Sequence, residues 1–232
     1  MNNIYPKTIM TNKLPFKETL AESCSLGFKN ILPILCVLVL YILTLWIPYI
    51  NIGTTIAMEA LPLKLAKGEE INPLYIFESK YRKLMGDYLI LVVIVFFCLI
   101  AALCFLIIPM YVLAIAWSLA TLLLIDKGIA PLEALRKSNE LTYGYKWRMF
   151  WISMVLGLIF GLIIAIIAVL FIAIYENFVL YGIFYAIALF LFIPVAVAME
   201  AIFYRELTKE EAPKAEEPKA EVFVEEVIVT EE

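Results

Sequence analysis

The sequence predicts an all-α integral membrane protein with six transmembrane helices arranged as three hairpins. Each hairpin is preceded by a short interfacial amphipathic helix, and the chain ends in a disordered acidic tail. Composition is the first reason, since 64% of the 232 residues are hydrophobic and 17% are charged, whereas soluble domains average about 45–50% and about 25%. A chain this short has too little interior to bury so much apolar surface. The uncharged stretches and the placement of the basic residues are the other two reasons.

The uncharged stretches predict where the spans lie, because a spanning helix needs about 20 apolar residues. Residues 88–125 carry no charge and as one helix would be about 57 Å long, so they must fold back. Pro109 marks the turn, since proline starts a helix well and interrupts one badly. Aromatic residues and Pro48 mark a second turn near residues 46–53. The predicted spans are residues 29–47, 48–66, 88–107, 109–125, 149–175 and 178–203.

The basic residues predict the orientation. Connections 47–53, 107–110 and 175–178 contain no Lys or Arg, and all 18 basic residues lie on the other side. The positive-inside rule makes that side cytoplasmic. We therefore expect a multi-pass protein of the bacterial cytoplasmic (inner) membrane with cytoplasmic N- and C-termini. Residues 48–66 are less apolar and contain Glu59, so a helix lying on the membrane surface is the alternative for this segment.

An internal repeat supports three hairpins. Pro15, Pro73 and Pro131 are spaced 58 residues apart, and a glycine follows each after 12 or 13 residues. Proline at the first turn and glycine near the end are common helix punctuation. Each unit therefore predicts a short amphipathic helix at the cytoplasmic interface, followed by a span, a tight turn and a returning span.

The inner segment before the fifth predicted span carries the most distinctive residues. It contains, in order, Asp126-Lys127-Gly128, then Glu133-Ala134-Leu135 with Ser138 and Leu141, then Gly144-Tyr145-Lys146-Trp147 with Phe150. This run resembles a group of uncharacterised six-span bacterial membrane proteins, which is similar to the membrane domain of some glycerophosphoryl diester phosphodiesterases. The step Ala66-Lys67-Gly68 also resembles the group's A-R-G, with lysine in place of arginine. The resemblance covers about residues 15–205 and implies fold and location; it brings no activity, because the catalytic domain of the phosphodiesterase has no counterpart here.

The charge distribution divides the chain into two parts. Residues 1–205 contain 15 basic and 12 acidic residues, whereas residues 206–232 contain 3 and 10. We expect residues 1–205 to form the membrane domain and residues 206–232 to be a disordered cytoplasmic tail. The tail is either an idle solubilising segment or a partner-binding segment, because its last apolar residues alternate as in an added strand. A nucleic-acid partner is not expected, since no large basic patch is present.

Two acids inside predicted spans are the candidate intramembrane polar site. Glu59 and Glu200 occur in similar text, Met58-Glu59-Ala60 and Met199-Glu200-Ala201. A carboxylate at membrane depth is costly and marks a functional hypothesis. The two either line a polar vestibule or lie one turn from the cytoplasmic surface and reach the headgroups.

Arg136, Lys137, Lys146 and Arg148 are the candidate lipid-facing or partner-facing residues, because basic residues beside a span contact anionic lipid. We expect no catalytic residue, no metal site and no cofactor: the chain has no histidine, and no nucleotide, hydrolase or metalloprotease motif is present. The expected function is a non-enzymatic membrane scaffold, or a protein that interacts with membrane lipids or a partner. The alternative is a transporter or channel for a small solute or lipid that uses Glu59 and Glu200.

Overall fold

The computed structural model describes residues 14–105, 107–175 and 178–209, and this part of the chain contains helices and no strand. The α-helices are α1 Phe16–Lys29, α2 Ile31–Thr44, α3 Pro48–Glu59, α4 Leu61–Ala66, α5 Ser79–Lys83, α6 Met85–Phe105, α7 Ile107–Trp117, α8 Ala120–Lys127, α9 Pro131–Thr142, α10 Lys146–Tyr175 and α11 Phe178–Thr208. A 3-10 helix, Pro73–Phe77, precedes α5. Prolines begin or nearly begin several of these helices, as the sequence predicts.

Four segments of the described chain are long and apolar enough to cross a membrane: Met85–Cys104, Ile107–Lys127, Lys146–Val169 and Gly182–Thr208. They coincide with four of the six predicted spans. Between 11% and 33% of their most apolar windows is buried within the protein. Large side chains such as Phe97 and Leu162 are exposed along them. A soluble protein rarely exposes so extended an apolar surface, so these segments identify a membrane protein.

The two remaining predicted spans, residues 29–47 and 48–66, are not confirmed by helix length. Helix α2 has 14 residues and is about 21 Å long, which is short of the roughly 30 Å hydrocarbon core. Helices α1 and α2 meet at a 69° bend and would together count as one broken span. Residues 48–66 form α3 and α4, which are separated at Ala60. The described chain therefore contains four candidate spans, or five with the bent pair.

Helices α2 and α3 pack against each other as a helical hairpin. The hydroxyl oxygens of Thr44 and Thr54 lie 2.8 Å apart and join the two helices by a buried hydrogen bond. The turn between them carries Trp46, which is 90% exposed, and the exposed Tyr49. Aromatic side chains at such a turn suit the membrane interface.

Helix α9 closes a break in the third span. Helices α7 and α8 are interrupted at residues 118–119, where backbone groups lose their regular helical partners. The buried Ser138 hydroxyl accepts a hydrogen bond from the Leu119 backbone N–H at 3.2 Å and donates one to the Ala116 carbonyl at 2.8 Å. Thr142 also donates to the Ala116 carbonyl, at 3.4 Å. Ser138, which belongs to the motif run, therefore has a structural role.

The three repeat glycines occupy three different environments. Gly27 packs against the backbone of α11 at Pro194 and Val195. Gly86 lies in the first turn of α6 with open space around it. Gly144 follows α9 with a φ of +84°, a conformation that glycine adopts without strain. The three glycines therefore share a position in the repeat but differ in their local role.

Two buried clusters hold the short helices against the long ones. One joins α8 and α9 to the end of α11 through residues such as Leu123, Ala134 and Phe203. The other joins α3, α4 and the 3-10 helix to α11 through Ile56, Leu61, Tyr75 and Ala201. Helix α11 continues to Thr208, three residues beyond the predicted end of the membrane domain. The predicted acidic tail from residue 210 onward lies outside the described residues.

Candidate functional site

Glu59 and Glu200 line one cavity of about 340 Å³, which we call the carboxylate cavity. Glu59 is the last residue of α3, and Glu200 lies in α11. Ser118 and Thr121 contribute hydroxyl groups from the α7–α8 break and from α8, and Met58, Pro62 and Val197 complete the wall. Residues that are far apart in the sequence and predicted as one polar site therefore meet in space.

Small residues allow this meeting. Ala57, Ala60, Ala198 and Ala201 are all buried, at no more than 1% exposure. Alanine side chains let helices approach closely in a membrane, and α4 packs along α11. The two Met-Glu-Ala segments thus bring their carboxylates to the same side of this contact.

A hydrogen bond holds Glu59 in place, but no basic residue of the described chain lines the cavity to balance the carboxyl groups of Glu59 and Glu200. The Tyr88 hydroxyl donates to Glu59 Oε1 at 2.8 Å, and the Thr121 side chain lines the cavity beside this carboxyl group. The Glu200 side chain has no hydrogen-bond partner among the described residues and lines the same cavity as Glu59. Two carboxylates in a cavity that is partly shielded from water repel each other, so the geometry suits a bound cation.

The basic residues that follow each glutamate in the sequence are engaged elsewhere. Lys64 pairs with Glu69 at 3.1 Å. Arg205 contacts Glu22 at 2.7 Å and Glu206 at 3.0 Å. The similar sequence spacing of Lys64 and Arg205 therefore does not translate into ion pairs with Glu59 and Glu200.

The four candidate lipid-facing residues divide between two helices. Arg136 is exposed on α9 and lies 3.6 Å from Glu140, and Lys137 is half-buried on the same helix. Lys146 begins α10 and donates to Asn139 Oδ1 at 2.7 Å. Arg148 is exposed on α10. Lys146 lines an apolar groove between α7 and α10, and Arg148 lines a neighbouring cavity together with Trp147 and Trp151.

We call the groove lined by Lys146 the aromatic groove; it holds about 280 Å³ between α7, the end of α9 and α10. Phe150 stacks edge-on with Trp147 at 5.9 Å and with Tyr111 at 6.1 Å between ring centroids. The sequence did not reveal the groove, because it depends on the contact between α7 and α10. Its lining consists of Ile108, Tyr111, Val112, Ile115, Tyr143, Gly144, Lys146, Trp147 and Phe150.

The described residues contain no group of three or more His, Cys, Asp or Glu side chains placed to hold a metal ion. All four cysteines are free thiols, as the sequence suggested from their spacing and apolar surroundings.

Comparison with known proteins gives a family without an assigned activity. No curated protein matches the chain, and no solved structure does. One family model, described as a protein of unknown function, matches residues 7–211. The predicted membership of an uncharacterised family is confirmed, while the likeness to the phosphodiesterase membrane domain stays a prediction. Because the match covers most of the sequence, the chain belongs to the DUF975 family of proteins of unknown function.

Proposed function

We propose that this protein is a non-enzymatic, multi-pass protein of the bacterial cytoplasmic membrane that binds an anionic phospholipid in the aromatic groove. One observation carries the proposal: an apolar groove between α7 and α10 is lined by a lysine, Lys146, and a tryptophan, Trp147, from the start of α10. The apolar lining can contact an acyl chain, and the ammonium group of Lys146 can pair with the anionic headgroup.

The residues at the charged end of the groove have the amphipathic character that membrane interfaces favour. Trp147 is exposed, and tryptophan concentrates at the level of the headgroups. Lys146 and Arg148 flank it in the sequence, and each cation near an anionic leaflet contributes about 1 kcal/mol to lipid attraction. The apolar wall from Ile108 to Ile115 belongs to α7, which is part of a candidate span.

The proposed orientation places this charged end at the cytoplasmic leaflet. Both termini are then cytoplasmic if the α2–α3 hairpin crosses the membrane twice or returns within it, because each of these arrangements leaves an even number of crossings. A single crossing by the bent α1–α2 pair would instead give five crossings and place the termini on opposite sides. The positive-inside pattern of the sequence supports this orientation.

Native mass spectrometry of the detergent-purified protein tests the proposal. The measurement is the amount of phosphatidylglycerol retained by wild type, by Lys146→Gln and Trp147→Leu, and by a matched control, Arg136→Gln. Arg136 loses the same charge but lies on the exposed face of α9. We expect several-fold lower retention for the two groove variants and unchanged retention for the control; equal retention in all four proteins would refute the proposed site.

The carboxylate cavity favours a second candidate function, a cation-accepting vestibule of a transporter or channel. Glu59 and Glu200 come from different helices and face the same cavity together with Ser118 and Thr121, and intramembrane carboxylates commonly mark ion or substrate paths. Flux of monovalent cations into liposomes should exceed the leak of protein-free liposomes and should fall in Glu59→Gln and Glu200→Gln. Background leak in the wild type would exclude this function for the cations tested.

A further inference from the structure

A second charged cavity, of about 370 Å³, lies beside α4 and α5. Four lysines line it: Lys64 from α4, Lys67 just after α4, and Lys80 and Lys83 from α5. We call it the lysine cavity. From its position and chemistry we infer that it binds a phosphate-bearing anion, either a lipid headgroup or a soluble phosphate ester.

Buried tyrosines hold two of the lysines in place. The Lys64 ammonium lies 4.9 Å from the ring centroid of Tyr75, and the Lys80 ammonium lies 4.9 Å from that of Tyr81. The two rings stack edge-on with centroids 6.0 Å apart. Both tyrosines are at most 4% exposed, and the Tyr75 hydroxyl donates to the Ala57 carbonyl at 2.9 Å. Two of the four lysine ammonium groups therefore lie against buried aromatic rings.

A third lysine is fixed by residues from two distant parts of the chain. The Lys67 ammonium forms an ion pair with Asp126 at the end of α8, and the Tyr204 hydroxyl of α11 donates to the other oxygen of Asp126 at 2.5 Å. Lys67 and Asp126 belong to the two motif segments picked out in the sequence. This ion pair brings the two motif segments together beside the lysine cavity, which both residues line.

The charges of the lining do not cancel. Glu69 and Asp126 are the two carboxylates that line the cavity with the four lysines. Glu78, outside the lining, pairs with Lys80 at 2.7 Å; its hydrogen bond raises the pKa of Lys80 above the ordinary value, so this side chain is a cation at neutral pH. Counting all three acids still leaves an excess of one positive charge, and Lys83 has no ion-pair partner in the described part of the chain.

Phosphate is the anion that suits this arrangement. Lysine ammonium groups bind phosphate as point charges, and a phosphate group offers several oxygens to cations that approach from different helices. Clustered like charges in a concave, partly apolar site focus the potential on a counter-ion. Leu63, Leu84 and Ile125 supply the apolar part of the wall. The lysine cavity shares no residue with the aromatic groove, so this inference does not depend on the proposed function.

The test uses the full-length protein and two probes that distinguish the source of the phosphate. One probe is glycerol phosphate, titrated by calorimetry into the protein in a neutral detergent. The other is phosphatidic acid in phosphatidylcholine nanodiscs, compared with phosphatidylcholine alone. Binding of glycerol phosphate assigns a soluble ester, and binding that requires the nanodisc lipid assigns a headgroup. Absence of binding for both probes would overturn the inference.

Substitutions that remove positive charge and one that removes negative charge from the lysine cavity test whether the anion binds there. Lys80→Gln/Lys83→Gln should weaken binding of the effective probe by tenfold or more, since charge-assisted hydrogen bonds contribute on the order of tenfold each. Glu69→Gln removes an exposed carboxylate that pairs with Lys64 and should strengthen binding several-fold, a gain that misfolding cannot imitate. Lys17→Gln/Lys29→Gln, an equal loss of two charges on α1, should bind as wild type. If Glu69→Gln gives no gain and Lys80→Gln/Lys83→Gln binds like this control, the site is refuted. Lys146→Gln should leave this binding intact, which separates its outcome from that of the groove.

Discussion

Replacing Gly27 by alanine should destabilise the protein, because α1 crosses α11 at this glycine without room for a side chain. A Cβ atom at Gly27 would lie 2.7 Å from Val195 Cα and 3.0 Å from the Pro194 carbonyl oxygen. Both are backbone atoms, so no rotamer change relieves the overlap. The pair α1–α11 carries one of the most extensive helix contacts of the fold, and Val195 is fully buried.

The size of the effect follows from the geometry. Ordinary carbon–carbon contacts lie at about 3.5–4.0 Å, so the two helices must separate by roughly 1 Å. Overpacking of this kind costs about 1–3 kcal/mol, and backbone overlap favours the upper part of that range. Alanine has a better helix propensity than glycine by about 1 kcal/mol. The net loss of stability is therefore about 1–2 kcal/mol.

Thermal denaturation of the detergent-purified protein, followed by size-exclusion chromatography, measures this loss. Gly157→Ala is the matched control, because Gly157 lies within α10 and nothing is within 4 Å of an added Cβ there; it should gain up to about 1 kcal/mol. With about 2–4 °C per kcal/mol for a chain of this size, Gly27→Ala should melt several degrees below the wild type and Gly157→Ala at or above it. The reasoning fails if Gly27→Ala melts as high as Gly157→Ala.

Three further predictions concern the break in α7–α8, the buried tyrosines and the membrane topology. Ser138→Ala should cost about 1–3 kcal/mol, since it leaves the Leu119 N–H unsatisfied; Ser118→Ala, at an exposed position bonded to its own helix at 3.0 Å, should be nearly neutral in the same melting assay. Burial raises the pKa of Tyr75 above the ordinary value of 10.0. The fold therefore favours the neutral phenol, and this contribution is complete below pH 10 and is lost as the pH rises above it. Tyr75→Phe should flatten the fall in melting temperature above pH 10, and an unchanged slope would contradict this. With all native cysteines replaced, an impermeant thiol reagent on intact cells should label Asn51→Cys and not Lys67→Cys if α2 and α3 cross the bilayer. Protection of both would show that the hairpin does not cross, and equal labelling of both would contradict the cytoplasmic placement of Lys67.

The sequence predicts best what depends on local signals. Helix α7 begins two residues before Pro109 and α9 begins at Pro131, because proline fixes the start of a helix without help from the rest of the fold. The spans α6, α10 and α11 follow from uncharged runs of sufficient length. These features need only the local chain and its solvent.

The lengths of the helices in the first hairpin could not be predicted from local sequence patterns. Residues 30–58 carry no charge, and the sequence predicted two crossings here, over residues 29–47 and 48–66. The structure bends the chain by 69° between α1 and α2, leaving α2 with 14 residues. Close packing of Gly27 on Val195 fixes the course of α1 before the bend. That contact joins the two ends of the membrane domain, and no pattern within residues 30–58 indicates it.

Candidate residues were predictable in kind but not in their grouping. The repeated Met-Glu-Ala text singled out Glu59 and Glu200, yet their shared cavity is a consequence of α4 packing on α11. Lys64 and Lys80 counted in the sequence only as cytoplasmic cations. The missed signal was Tyr75 and Tyr81, two aromatic residues in a polar connection that the fold buries and places beneath those lysines.

Helix geometry explains why acidic and basic cavities can lie so close without neutralising each other. Glu59 and Pro62 face the carboxylate cavity, whereas Ala60, Leu63, Lys64 and Lys67 face the lysine cavity. Pro62 follows Glu59 by three residues, and Leu63, Lys64 and Lys67 follow Ala60 by three, four and seven. Residues at these spacings lie on one side of a helix, so the two sets occupy different sides of α3 and α4. A helix with its side chains is about 10 Å across, and Lys64 turns to Glu69 rather than to Glu59. Segment 59–67 therefore forms a wall between cavities of opposite charge, and the sequence encodes that separation in which side of the helix each charge occupies.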